Sequence, residues 1–233
     1  MMQTESKVIV ALDFANEKQA AAFVEGISSD LCKLKVGKEL FAVAGPRFVE
    51  GLVDKGFDVF LDLKYHDIPT TVAKACQAAA KMGVWMLNVH ALGGRKMMMQ
   101  AKEALLAESH QPLLIAVTIL TSHTDEDLHE VGLSGTAEEN VLRLAKLAES
   151  SGLDGVVCSA QEAKALRQIV NKDFQLVTPG IRPENAERGD QNRVMTPEQA
   201  IAVGSSYLVI GRPITQSEDP VATLQRINQS LLA

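Results

Sequence analysis

The sequence predicts a single (β/α)₈ barrel, the TIM barrel of the α/β class, spanning residues 1–233. Three observations predict it. Eight short β-rich runs alternate with helical patterns from one end of the chain to the other. The length of 233 residues suits eight such units, which occupy roughly 250 residues in this architecture. Polar and charged residues collect at the C-terminal ends of the runs, where such barrels carry their chemistry.

The runs are KVIVALD (7–13), LCKLKVG (31–37), DVFLDLK (58–64), WMLNVHA (85–91), LLIAVTIL (113–120), DGVVCS (154–159), QLVTPG (175–180) and YLVIGR (207–212). Each is short and rich in apolar residues, as expected of a parallel strand buried on both faces. Ala- or Leu-rich segments with helical spacing lie between them. AKACQAAAKM (73–82) and ENVLRLAKLAES (139–150) show it most clearly. No Pro- or Ser-rich linker divides the chain, so one domain is expected. An open doubly wound sheet is the competing architecture. It is disfavoured because no GxGxxG follows the first run.

Composition excludes several classes of function. Hydrophobic residues make up 46% and charged residues 22%, an ordinary balance for a globular protein. The formal net charge of −6 leaves no basic footprint for nucleic acid or an anionic membrane. An anionic ligand must therefore be held by a local basic site. Cys32, Cys76 and Cys158 form neither a metal pattern nor an even disulfide set. They read as free thiols suited to a reducing cytoplasm. The N-terminus has no long apolar core of a signal peptide. No apolar run approaches the ~18 residues of a membrane span.

The chemistry is concentrated at the run ends. Asp13 ends the first run, Lys35 nearly ends the second, and Asp62 and Lys64 end the third. Thr121 and Ser122 follow the fifth, and Arg212 ends the eighth. The sharpest signal is VFLDLKYHDIPTTV (59–72). Asp62 and Lys64 are two apart on a strand and should share the barrel-facing side. Asp67 follows three residues later, just before Ile68 and Pro69, and proline suits the first turn of the next helix. A lone DxK would read as a rim ion pair with an Asp N-cap. Here the same face can also receive Lys35 and Asp13, which gives alternating Asp and Lys charges. Parity raises one difficulty. If Lys35 points inward so does Lys33, and a lysine deeper in the barrel needs an acid or a local bulge.

Residues 59–71 resemble the signature of the orotidine 5′-phosphate decarboxylase family: apolar residues, then D-x-K-x-x-D-I-P-x-T. ALDF (11–14), KVGKELF (35–41), NVHALGG (88–94), VTILTS (117–122), TPGIRP (178–183), GDQNRVMTP (189–197) and VIGRPI (209–214) resemble the bacterial branch over nearly the whole chain. The resemblance implies conversion of orotidine 5′-monophosphate to UMP and CO₂ with no metal and no organic cofactor. It implies that Lys64 donates the proton to C6 and stabilises the developing negative charge. Asp62 would stand beside the substrate carboxylate and orient Lys64. Lys35, Asp62, Lys64 and Asp67 would form the catalytic network, with Asp13 and Lys35 on the ribose hydroxyls. Asp67 and Ile68 would enter the neighbouring subunit's site. Thr71, one helical turn beyond Asp67, would act with it there. A homodimer is then part of the mechanism.

The phosphate is expected after the last strands. Gly211 allows close approach of backbone N–H groups, and Arg212 supplies a planar fork for phosphate oxygens. Gln191 resembles the family glutamine that spans phosphate and pyrimidine. Arg182 is assigned to substrate binding, and Thr121 and Ser122 to the polar edge of the pyrimidine. His90 reads as a structural residue at a strand end, and His66, His123 and His129 show no ligand spacing. Met97, Met98 and Met99 read as helix packing. Two other functions compete. One is a Mg²⁺-dependent sugar-phosphate decarboxylase or synthase of the same superfamily, in which an acidic metal ligand would replace Lys35. The other is a non-catalytic sugar-phosphate binding protein, against which the intact Asp62, Lys64 and Asp67 argue.

Overall fold

The computed structural model describes residues 6–183 and 195–232. All eight runs form strands, trimmed at their ends by a few residues except that β3 continues one residue past its run to Tyr65. The chain runs β1 (Val8–Ala11), α1 (Glu17–Glu25), β2 (Lys33–Gly37), α2 (Lys38–Asp54), β3 (Val59–Tyr65), α3 (Pro69–Lys81), β4 (Met86–His90) and α4 (Gly94–Leu106). It continues β5 (Leu113–Val117), α5 (Asp125–Glu130), α6 (Ala137–Ser150), β6 (Gly155–Val157), α7 (Ala160–Arg167), β7 (Gln175–Thr178) and α8 (Pro197–Ala202). It ends β8 (Tyr207–Ile210), α9 (Arg212–Thr215) and α10 (Pro220–Ser230). All pairings are parallel, and β8 closes onto β1. The sheet therefore has no open edge, and the doubly wound alternative is excluded.

Closure divides the apolar residues into two sets. Ile9, Ala11, Phe60, Met86, Ile115, Val177 and Val209 pack inside the barrel. Alternate residues such as Val8, Val10, Leu34, Val59, Leu61 and Leu87 face the helices in the larger core. This is the period-two consequence of strands buried on both faces. The helices are started by their sequence. Thr124, Thr136, Ser159 and Thr196 each cap an N-terminus reciprocally with the residue three positions on. α2 breaks at Gly45, whose φ of 70° precedes Pro46. Met97 and Met98 are buried packing residues, whereas Met99 is exposed.

The inward Lys33 is answered by an acid, not by a bulge. Its ammonium lies 2.5 Å from Oδ2 of Asp58, just before β3, and 4.4 Å from the centre of the Trp85 ring. The Tyr207 ring, edge-on to Trp85 with centroids 4.9 Å apart, lies at 5.8 Å. A buried ammonium is thus paired and faced by two aromatic rings at the N-terminal end of the barrel.

Candidate active site

The opposite end of the barrel gathers three of the four expected network residues. β2 brings Lys35 and β3 brings Asp62 and Lys64. The Lys64 ammonium is 2.6 Å from Oδ1 of Asp62. The Lys35 ammonium is 3.4 Å from Oδ2 of Asp62 and 3.2 Å from Oδ1 of Asp13. Lys35 and Asp62 are buried, Lys64 is partly buried, and the Asp13 side chain is open to solvent. Burial by itself would raise the Asp62 carboxyl's pKa. The ammonium groups of Lys35 and Lys64, with hydrogen bonds from Lys64 and Asn88, outweigh it and hold Asp62 below the usual carboxylate range. Asp62 is therefore a carboxylate held between two cations.

Simple strand parity does not account for how Asp62 and Lys64 meet. The β3–β4 register shifts between Leu61, opposite Leu87, and Tyr65, opposite Val89. Lys64 has a φ of 51°, the left-handed region, and is the one non-glycine residue there among those described. That conformation costs an L-residue roughly 1–2 kcal/mol. The strand end is a bulge, and its strain falls on the lysine itself.

Two hollows share this charged wall. One, of about 190 Å³, has Phe60, Val117, Val157 and Val209 on its apolar side and Thr121 at its edge. It can take a flat heterocycle with its reacting carbon toward Lys64. The other, of about 160 Å³, is lined by Asp13, Gly37 and Lys38 and suits hydroxyl groups. Lys35, Asp62 and Lys64 line both. Gly37 matters here, because a Cβ on it would lie 3.1 Å from the Lys35 ammonium. Sequence reasoning passed over this glycine, although KVG showed it. A larger hollow of about 800 Å³, beside α8 and α10, lies away from these charges.

β8 ends beside β1. A Cβ at Gly211 would meet Ala11 at 3.5 Å and Asp13 at 3.6 Å, so Arg212 begins α9 close to Asp13, which lines the smaller hollow. Burial and then the nearby Arg212 guanidinium lower the pKa of Arg182. The two guanidinium groups give an acidic protein a local basic corner, which suits a phosphate. Gln191 lies outside the described residues. Ser122 is exposed, whereas its neighbour Thr121 lines the hollow.

Asp67, Ile68 and Thr71 line neither of the two charged hollows. All three are exposed, and the Asp67 carboxylate accepts a hydrogen bond from the Ile68 N–H at 2.6 Å. The N-cap of α3 is Ile68, not Asp67, and Pro69 occupies the first turn as expected. Among the described residues, no group of three or more His, Cys, Asp or Glu is arranged to hold a metal ion. No helix among them is long and apolar enough to cross a membrane.

Residues 6–227 match the family model described as orotidine 5′-phosphate decarboxylase / HUMPS family. The chain is 66% identical to the orotidine 5′-phosphate decarboxylase of Hydrogenovibrio crunogenus, over 99% of this chain and 98% of that protein. It is 57% identical to that of Pseudoalteromonas translucida, over 98% of each. The crystal structure of orotidine 5′-phosphate decarboxylase from Lactobacillus acidophilus superposes with a TM-score of 0.88 at 43% identity, covering 97% of this chain and 99% of that one. With a closed eight-stranded barrel, the D-x-K-x-x-D strand end and this similarity over nearly its full length, the chain belongs to the orotidine 5′-phosphate decarboxylase / HUMPS family.

Proposed function

We propose that this chain is a carboxy-lyase that converts orotidine 5′-monophosphate to UMP and CO₂ in pyrimidine synthesis. The observation that carries the reading is the Asp62 carboxylate held between the Lys35 and Lys64 ammonium groups at the wall of an apolar hollow. Loss of CO₂ leaves an electron pair on C6 of the pyrimidine. Lys64 stabilises that charge and donates a proton to the carbon, and the resulting amine regains its proton from water. Asp62 orients Lys64 and faces the departing carboxylate.

Asp13 and Lys35 take ribose hydroxyls, Thr121 and Ser122 the polar edge of the base, and Arg182, Gln191, Gly211 and Arg212 the phosphate side. Asp67, Ile68 and Thr71 complete the site of a second copy in a homodimer. The 67% exposure of Ile68, at the start of a helix whose own site is elsewhere, supports this. The buried free thiols Cys32, Cys76 and Cys158 suit a cytoplasmic enzyme of one catalytic domain, residues 1–233.

The Mg²⁺-dependent alternative has one specific observation against it. Lys35 places a fixed ammonium between the carboxylates of Asp13 and Asp62, where a divalent cation would otherwise sit. The test is turnover of orotidine 5′-monophosphate, followed by the change in pyrimidine absorbance, before and after exhaustive chelation. Undiminished turnover supports the proposal. Absence of turnover, with Mg²⁺-restored decarboxylation of a sugar phosphate, overturns it.

A further inference from the structure

We propose that Asn88 is the positioning residue of this site, holding the Asp62 carboxylate and the left-handed backbone of Lys64 in one fixed relation. The proposal rests on the decarboxylase reading for its kinetic consequence, but its geometric content stands apart from it.

Asn88 lies on β4 and is fully buried. Within β4 it shares the interior face with Met86. Between the paired positions on either side of the register shift, β4 advances by one intervening residue and β3 by three. Asp62, Leu63 and Lys64 therefore all stand opposite Asn88. Its carboxamide closes this gap. Nδ2 donates to Oδ1 of Asp62 at 2.7 Å, and Oδ1 accepts from the backbone N–H of Lys64 at 2.7 Å. The same Asp62 oxygen accepts from the Lys64 ammonium at 2.6 Å. The result is a closed ring of hydrogen bonds through Asn88, Asp62 and both ends of Lys64.

The orientation of the amide is dictated by chemistry. A backbone N–H can only donate, and a carboxylate only accepts, so the carboxamide oxygen must face Lys64 and its nitrogen Asp62. No other side chain of this size supplies one donor and one neutral acceptor in this way. Aspartate keeps the acceptor but not the donor, and a small apolar residue keeps neither. A residue in the left-handed region persists only where its surroundings determine it, and here the determining contact is a side chain from the next strand. A shift of about 1 Å in a reacting group can slow a reaction 10²-fold. Lys64 is the group whose backbone this contact holds.

The test compares Asn88→Ala and Asn88→Asp with wild type in three measurements. These are steady-state decarboxylation, UMP affinity, and hydrogen exchange at the Lys64 backbone amide. In Asn88→Ala, kcat should fall about 10²-fold with UMP affinity unchanged, and the Lys64 amide should lose its protection. In Asn88→Asp, assayed at alkaline pH where the two carboxyls do not share a proton, the amide should stay protected, since its acceptor remains, while kcat still falls because Asp62 now faces a second carboxylate. A folded Asn88→Ala with wild-type kcat, or with an equally protected Lys64 amide, overturns the proposal. So does a fall in kcat matched by equal loss of UMP affinity. If Asn88→Ala does not fold, the isosteric Asn88→Asp decides, and wild-type kcat there overturns the proposal. Absence of turnover in the wild-type protein would instead overturn the decarboxylase reading, and the amide exchange would still judge Asn88.

Discussion

The Lys64 ammonium lies 2.6 Å from Oδ1 of Asp62, and the backbone that carries it has a φ of 51°. An ammonium group and the carboxylate that pairs with it are thus built into one bulged strand end, two residues apart. This pairing holds the Lys64 side chain at the wall of the hollow.

Lys64→Ala removes both the proton donor and the positive charge. Decarboxylation should fall by about 10⁴-fold or more, the upper range for a general acid. UMP binding should persist, because UMP lacks the carboxylate that would face Asp62. Rapid-quench assays and UMP titration of the same preparation check this. Retained turnover would remove Lys64 from its role as the acid.

Arg212→Ala tests the phosphate corner. kcat/KM should fall about 10²-fold, comparable with loss of charge-assisted hydrogen bonds of roughly 1.5–3 kcal/mol. Added guanidinium ion should restore part of the loss. A variant with unchanged kcat/KM would place the phosphate elsewhere.

The shared site can be tested by mixing two inactive variants, Lys64→Ala and Asp67→Ala. Mixed in equal amounts and randomly reassorted, half of the dimers would be mixed, and one of the two sites in each would be intact. About a quarter of all sites should then recover activity. No recovery after verified subunit exchange would make each site self-contained.

At the other end of the barrel, Asp58→Ala removes the carboxylate 2.5 Å from the Lys33 ammonium while Trp85 and Tyr207 remain. A loss of roughly 1–3 kcal/mol is expected. Lys33→Met, which removes the buried charge itself, should be close to neutral. Urea unfolding at constant slope measures both. Equal losses in the two variants would show that the lysine is more than a paired charge. Turnover should be unchanged in both, since neither residue borders the site.

His90 predicts an acid sensitivity. Burial, followed by the positive charges of His66, Lys38 and Lys64, pushes its pKa down from 6.5 to about 4. Among the described residues its Nδ1 is buried without a hydrogen-bond partner. The unfolded chain takes up this proton as pH falls through 6.5, and the folded chain only near 4. Stability is therefore fully present above 6.5 and declines as pH is lowered toward 4. His90→Asn should flatten the dependence of Tm on pH in that window. An unchanged slope would assign the titration to another group.

Much of this protein was legible in the residues because its determinants are local or periodic. Eight apolar runs separated by helical patterns can bury both faces only in a covered parallel sheet, and eight such units close. The D-x-K-x-x-D strand end, Lys35 and Asp13 could be placed at one rim because strand ends in a barrel converge. Tertiary structure decided what depends on neighbours distant in sequence. Parity alone put Lys33 inside and could not name the acid it meets, since Asp58 is 25 residues away and is brought to it through the β2–β3 register. Parity also aligned Asp62 with Lys64 for an incomplete reason. The bulge that joins them depends on Asn88, 24 residues beyond Lys64, and nothing within NVHALGG marks that asparagine's partners. Hydrophobic periodicity selects a fold through the averages of many residues. A hydrogen bond between two particular side chains depends on strand register to within one residue, and only the closed barrel sets that register.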